Sequence, residues 1–564
     1  KSHENFNYYG DPTINNRKDQ KKATLRFLSK EPEVIVIGGL DWSFHFDEKV
    51  REKILELVKN GTGLIYVAPM GLEGDLAKAL PLATDANLNR INGSWMKTRK
   101  HYLTDGISFD VFPRCRNITY RAQGDVLATV AKRNEPILAV GHYGTGRLAA
   151  FGYDVYVHNK NSGLLPTRLV GEMPGVRAPI FDDGNLTWDY WEYYYALLAK
   201  TIVWAAGKES SVIIDRLEAV EGSSVELSLR AAEELNVNVI LKIKDKYSKL
   251  QQSNEREVKL SAQQTVTTKF KLQDNLIEGS HFIDLVVKDR KGDVLNWGAA
   301  RFVIEKPVKI ARVHLTQEAF PQGQSITGKM TLSAAAGSHL LRARLYDFYG
   351  RLLDERKLRP KTTEAKEIAF SIPSERILTN TARIDCELLN EGELSDIRRE
   401  TFIVHQPRKF KKFVYGVWWH EFPRKHLLPY FFSQLRKCGI ENIRFGNLGQ
   451  ARFVVTIGNM ETHDPYGLVY YRYDRQDNKK RIAQYTKSKN KSALVRNPCV
   501  NDPQWTVDRK GWIHKVWRKK HAVSPNYYIY SGDEWHIGDR YCFSVHCMNK
   551  MRGWLKERYG DLRN

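Results

Sequence analysis

Asn526 to Trp535 reads NYYIYSGDEW: aromatic and β-branched residues that suit a strand, a short turn, then the carboxyl pair Asp533 and Glu534. A carboxyl group held at a strand end can protonate a leaving oxygen and afterwards take a proton from water, if its surroundings raise its pKa. The plainer reading is an acidic pair on an exposed loop. Arg444 closes a second run, ENIRF, and its planar guanidinium could hold a carboxylate or sit in a rim ion pair. Trp418, Trp419 and His420 leave a third run, FVYGVWW, as a cluster whose indole faces suit stacking on a sugar ring. Alternate residues of a strand point oppositely, so half of such a cluster belongs to a core. Cys542 and Cys547 are close in sequence, with Ser544 and His546 between them and Cys499 upstream. Structural zinc takes four ligands. Buried thiols are therefore the reading preferred here, no metal or other cofactor is expected, and Cys499, Cys542 and Cys547 are the candidates if there is one. Lys479 to Arg496 reads as a basic loop that could hold an anionic polysaccharide or simply be solvated.

These residues need elements to position them. From Phe410 onward, strand-like runs (FVYGVWW, ENIRF, ARFVVTIG, YYIYSGDEW) alternate with helical stretches at Leu427 to Cys438, Asp502 to His521 and Phe543 to Tyr559. That is the pattern of β/α units in a barrel. Four strands are half of the eight a (β/α)₈ barrel needs, so the chain is expected to stop in mid-barrel. Upstream, between residues 209 and 405, the period is two (SVELSLRA, NVNVILKIKD, then SITGKMTLSA, LLRARLYDF, ARIDCELL), which predicts two successive immunoglobulin-like β-sandwiches, 209–305 and 306–405. The first 208 residues open with EVIVIGGL, a helical pattern from Asp47 to Lys59 and GLIYVAP, a strand-helix-strand order that predicts a right-handed parallel crossover and a doubly wound α/β domain.

Composition narrows the classes. The 564 residues are 42% hydrophobic and carry 88 Lys and Arg against 65 Asp and Glu, a net charge of +23, which excludes a disordered or collagenous chain. Residues 406–564 hold 31 of the basic and 13 of the acidic side chains, so +18 of that charge lies in the barrel-like part. Six cysteines are too few for a disulfide framework. No apolar run reaches the roughly 18 residues of a membrane helix, and no helix-turn-helix, zinc-finger or RNA-binding signature accompanies the charge, so neither membrane nor nucleic acid is an expected partner. A homo-oligomer and the compartment stay open, an exported setting being favoured.

The stretch Asn526 to Asn564 resembles the glycoside hydrolase family 42 β-galactosidases and their multidomain relatives in glycosidase clan A. The likeness lies in the strand ending in an acidic pair with Glu534, the Cys-containing helix start, and the helix end WLKERYG. Arg496-Asn-Pro-Cys-Val-Asn-Asp-Pro503 is similar to the turn before the fourth strand in such proteins. The resemblance implies that Glu534 is the acid/base of a retaining glycosidase acting on a β-linked glycan, and that Arg444 steadies the catalytic carboxylates. It also implies that the nucleophile comes from a late strand outside this chain. Asp533 stands where the family has Asn; an ionised Asp accepts hydrogen bonds but cannot donate one to a sugar hydroxyl. Cys542 and Cys547 resemble part of a zinc-binding cluster of some family members.

Residues 1–208 resemble the class I glutamine amidotransferase-like module that accompanies such barrels, through GLIYVAP, Tyr143-Gly-Thr-Gly-Arg147 and the helix Trp188 to Gly207. The turn where an active amidotransferase carries its Cys reads Ala68-Pro69-Met70-Gly71, so a structural role is implied. This module follows the barrel in typical family members and precedes it here. The alternative to an enzyme is a carbohydrate-binding or scaffolding protein with a degenerate barrel.

Overall fold

The structure is a computed structural model. It describes residues 17–38, 41–84, 89–112, 114–153, 192–220, 222–358, 360, 362–406, 415–417, 428–444, 452, 454–464, 474–495, 499, 501–523, 528–529 and 542–560. The protein is multidomain and β-rich, with several sheets and a few helices.

Near the N-terminus, α1 (Arg17–Leu28) precedes β1 (Val34–Gly38), α2 (Glu48–Lys59) and β2 (Gly63–Val67). The Asp47 carboxylate caps α2 by accepting the Lys49 N–H at 3.0 Å, and Val50, Ile54, Leu57 and Val58 bury the face that the spacing predicts. β1 and β2 pair in parallel, as the crossover requires, and every residue of β2 is buried, so both faces of the sheet are covered there. The sheet continues through β3 (Trp95–Lys97), β4 (Asp125–Val130), β5 (Pro136–Tyr143) and β6 (Gly146–Phe151) in the order β1-β2-β6-β5-β4-β3. Among neighbouring strands only β1/β2 and β2/β6 pair in parallel; β6/β5, β5/β4 and β4/β3 are antiparallel. Where a doubly wound sheet is expected, a mixed one is found. The reason is the hairpin Tyr143-Gly-Thr-Gly-Arg147, which reverses the chain directly. Gly144 sits at φ +61°, and a Cβ on Gly146 would lie 2.1 Å from the Val58 carbonyl oxygen, so both glycines are dictated by the seat of this turn on the end of α2. Helix α3 (Glu192–Ala205) packs on β2 and β6.

Two tandem units of two sheets follow. In the first, β7 (Val212–Val220), β8 (Ser224–Ala231) and β11 (Thr265–Lys271) face β9 (Leu235–Asp245), β10 (Leu250–Leu260), β12 (Gly279–Lys288) and β13 (Val294–Ile304), in orders β7-β8-β11 and β10-β9-β12-β13. Val237, Val239, Leu241 and Ile243 of β9 alternate inward against Val225, Leu227 and Leu229 of β8. The second repeats the connectivity. Its strands are β14 (Ile310–Leu315), β15 (Ala319–Pro321), β16 (Ile326–Leu332), β17 (Leu340–Asp347), β18 (Leu352–Leu358), β19 (Glu367–Ile372), β20 (Thr381–Asn390) and β21 (Glu393–His405), in orders β14-β16-β19 and β15-β21-β20-β17-β18. In each unit the two sheets share one apolar core, and inward alternation runs along β9 and β17.

The C-terminal part is a parallel sheet of β22 (Gly416–Val417), β23 (Asn442–Arg444), β24 (Glu461–Asp464) and β25 (Tyr528–Ile529) in chain order. Its helices are α4 (Leu428–Lys437), α5 (Asp474–Ser488), α6 (Pro503–Val523) and α7 (Val545–Tyr559), and a small core joins Leu428, Phe432, Ile443, Val454 and Met460. Two expectations fail here. ARFVVTIG is helical where described, with Val454 and Val455 buried, and the third strand is the polar Glu461–Asp464; a short apolar run does not distinguish a strand from a buried helical turn. The basic stretch expected as a loop lies largely in α5 and a 3₁₀ turn, Lys491–Leu494, because Lys, Arg, Gln and Ala favour helix.

Candidate active site

The four parallel strands bring their carboxyl ends to one edge. Register pairs Val417 with Ile443, Arg444 with His463, His463 with Tyr528 and Asp464 with Ile529. Arg444 therefore ends β23 where the sequence places it, level with the end of β24. At this edge of a parallel sheet the chain leaves the strands and ligands usually bind. Trp418 and Trp419 follow β22 directly in sequence, and Asp533 and Glu534 follow β25 by a few residues; all four lie outside the described residues. Sequence reading misses His463 and Asp464, which share this edge with Arg444. Their strand, ETHD, has neither apolar alternation nor β-branched residues beyond one Thr, so nothing local marks it; only the end of the preceding helical turn, at Asn459 with φ +49°, hints that a new element starts. Arg444 and His463 are register partners on neighbouring strands, with Asp464 next along β24.

The three candidate sulfur ligands do meet. The Sγ atoms of Cys499, Cys542 and Cys547 lie within 4.8 Å of one another, Cys499 and Cys547 at 3.6 Å. Cys499 comes from the turn before α6 and Cys547 from the first turn of α7. Asn501 Nδ2 donates to Cys547 Sγ at 3.2 Å, and the Ser544 hydroxyl lies 3.0 Å from Cys499 Sγ. That hydroxyl also accepts the Cys547 N–H at 3.1 Å, so Ser544 is the N-cap of α7. His546 turns its Nε2 toward Asp502, at 3.8 Å. The donor set is three thiols and a capping hydroxyl, one ligand short of a closed zinc centre. Burial pushes the Cys499 thiol up, against the hydrogen bonds from Ser544 and Asn501.

The turn Ala68-Pro69-Met70-Gly71 is held by hydrogen bonds and close packing. Ala68 is buried at φ +50°, its N–H donating to the Phe151 carbonyl at 2.8 Å. Tyr120 OH donates to the Pro69 carbonyl at 3.1 Å, and the Met70 carbonyl accepts the Trp42 N–H at 2.8 Å. A Cβ on Gly71 would lie 1.9 Å from the Asp41 carboxylate. Burial, with the Asp41 charge beside it, pushes the Tyr66 phenol far up. Ala68 holds a left-handed backbone without being glycine, and Ala68 to Gly71 include no Cys, Ser or Thr.

No family model matches this chain, and no curated protein matches it. Solved structures that align with it include a Bifidobacterium dentium β-glucuronidase complexed with coumarin-3-O-glucuronide, at 12% identity and TM-score 0.22 over 54% of this chain and 65% of that one. Others are a Ruminococcus gnavus β-glucuronidase (11%, 0.19, 45% of this chain and 50% of that one) and red sea bream transglutaminase (10%, 0.19, 37% and 34%). The chain spans less than two thirds of each, and likenesses at these scores carry no argument about its fold or activity. Among the described residues no helix is long and apolar enough to cross a membrane, which says nothing of β-barrels.

Proposed function

We propose that the chain is part of a retaining glycoside hydrolase similar to family 42, acting on a β-linked glycan, with Glu534 as acid/base. What supports this is the row of four parallel strands in chain order, the beginning of a (β/α)₈ barrel in this reading. Arg444 ends the second of these strands, and in sequence Trp418 and Trp419 follow the first and Asp533 and Glu534 follow the fourth. In this reading Glu534 protonates the departing glycosidic oxygen and then deprotonates water, Arg444 orients the sugar and carboxylates, and the tryptophans stack on a ring. The net charge of +18 in residues 406–564 favours a glycan bearing negative charge. The nucleophile is not assigned within these 564 residues. The amidotransferase-like domain and the two sandwiches act as structural parts, and the four-module division at residues 208, 305 and 405 belongs to the same proposal.

The test is Glu534→Ala in the intact enzyme. Glycosides with poor leaving groups should slow by orders of magnitude more than activated aryl glycosides, and azide, which needs no general base, should restore turnover of the latter. Equal loss on all substrates with no azide rescue would remove Glu534 from that role. The non-catalytic reading gains if no glycoside is turned over while glycan binding persists.

A further inference from the structure

Among the described residues the cluster of Cys499, Cys542 and Cys547 is one ligand short of a zinc centre, and its geometry suits chemistry between the sulfurs themselves. Cys499 and Cys547, 48 positions apart, hold their Sγ atoms at 3.6 Å, with Cys542 Sγ inside the same 4.8 Å. A disulfide bond is about 2.05 Å long, so ~1.5 Å of closure, the scale of a side-chain adjustment, would join them. The Ser544 hydroxyl beside them is committed to capping α7.

Access divides the roles. Cys499 is buried, whereas Cys547 and Cys542 are half-buried, so a small reagent reaches those two first. Cys547 lies in the first turn of α7, and Asn501 Nδ2 already donates to its sulfur at 3.2 Å. That contact aims a donor at the sulfur that takes on negative charge during attack.

We propose that Cys499 and Cys547 are a reversible redox pair, oxidised by a low-molecular-weight disulfide such as oxidised glutathione. The Cys547 thiol gives up its proton and its sulfur attacks one glutathione sulfur; the glutathione S–S bond breaks, a bond from Cys547 to glutathione forms, and the departing thiolate takes the proton. Cys499 then attacks the Cys547 sulfur, the bond to glutathione breaks, and the second departing thiolate takes the Cys499 proton. Two protein thiols are oxidised and one glutathione disulfide is reduced to two thiols. The new bond closes a loop that holds α6, β25 and, in sequence, Asp533 and Glu534, so it ties together the two ends of that segment. The pair does not depend on those carboxyl groups being catalytic.

The full chain, reduced and then exchanged into buffer with oxidised glutathione, is quenched by alkylation, digested and mapped by mass spectrometry. A linked Cys499–Cys547 peptide pair is expected, about 2 Da lighter than the two reduced peptides together and separated again by dithiothreitol. The exposed Cys438 is the internal control and should retain a glutathione adduct. Cys542→Ser should keep the link. With Cys499→Ser and Cys542→Ser together, Cys547 should retain glutathione, because the resolving thiols are gone. Unmodified Cys499 and Cys547 alongside a modified Cys438 would overturn the proposal, as would a Cys499–Cys542 link in place of the Cys499–Cys547 one. Thiols that react only after a chelator strips a bound metal would overturn it in favour of a metal centre. The wild-type map decides alone should a variant fail to fold.

Discussion

Lys200 lies in the middle of α3 with no solvent exposure, and its Nζ donates to the backbone carbonyls of Asp105 at 2.8 Å and Trp297 at 3.1 Å, 5.3 Å from the Tyr102 ring centroid. It ties the N-terminal unit to β13 of the first sandwich. Burial lowers its pKa to about 7; the Asp105 carboxylate opposes that shift and Lys97 adds to it. In the unfolded chain a lysine holds its proton to about pH 10.4. Between those values the unfolded state binds more protons, so this group makes stability rise with pH, by about 1.4 kcal/mol per unit where the difference is complete. From pH 7 to pH 10 that amounts to about 4 kcal/mol. Lys200→Met keeps the length and removes both the slope and the two hydrogen bonds, each worth about 1 kcal/mol net. Near pH 7 relief of the buried charge and loss of the bonds largely offset one another, so the variant should be within about 2 kcal/mol of wild type. By pH 10 it should be the less stable protein. Urea midpoints of both full-length proteins at pH 7, 8, 9 and 10 would show curves that diverge steadily. Parallel curves would refute the argument, since they would mean that Lys200 keeps its proton in the native state throughout.

Gly146→Ala should lower stability by on the order of 3 kcal/mol, because the new methyl would meet the Val58 carbonyl oxygen at 2.1 Å and that backbone belongs to α2; the first melting transition reads this, and an unchanged midpoint would mean the hairpin can lift off the helix. Among the described thiols, the exposed Cys438 should react with an aromatic disulfide in native buffer. Cys386, whose thiol burial pushes far up, should be labelled only on unfolding, which mass spectrometry of the labelled peptides would show.

Much of the fold is legible because local pattern decides it. Strand alternation in residues 224–231 and 235–245 survives into the structure, Ser228 alone in the first being buried out of turn, and the spacing of Val50, Ile54, Leu57 and Val58 gives α2 its buried face. The antiparallel half of the first sheet is less visible: the hairpin at Gly144 is written in the sequence, but its effect on strand direction requires knowing that β5 and β6 are neighbours. Polar β24 is not legible at all, since its place between β23 and β25 is fixed by backbone pairing and its side chains supply no pattern. That Arg444 ends its strand and that Cys542 comes close to Cys547 could be read from spacing. That Cys499 joins them depends on a contact over 48 residues, and that Ser544 is committed to capping depends on where α7 begins.

The contacts that join the units are hidden for the same reason, and they share a chemistry. Lys200 reaches backbone carbonyls across the first junction, Lys246 and Arg399 clasp Asp396 and Tyr247 at the second, and Arg436 stacks on Phe348 at the third. The third junction adds a hydrogen bond from Thr381 Oγ1 to the Val455 carbonyl at 2.6 Å and one from the Asn380 N–H to Asn459 Oδ1 at 2.8 Å. Long cationic side chains suit these seams, because their stems cover apolar surface while their heads satisfy carbonyls, carboxylates or aromatic faces that each unit would otherwise expose. A seam built this way is polar enough for each unit to remain soluble while the others fold, yet directional enough to fix their order once formed. The β9/β10 and β17/β18 tips carry this logic from one junction to the next, Tyr247 meeting Arg399 at one and Phe348 meeting Arg436 at the other.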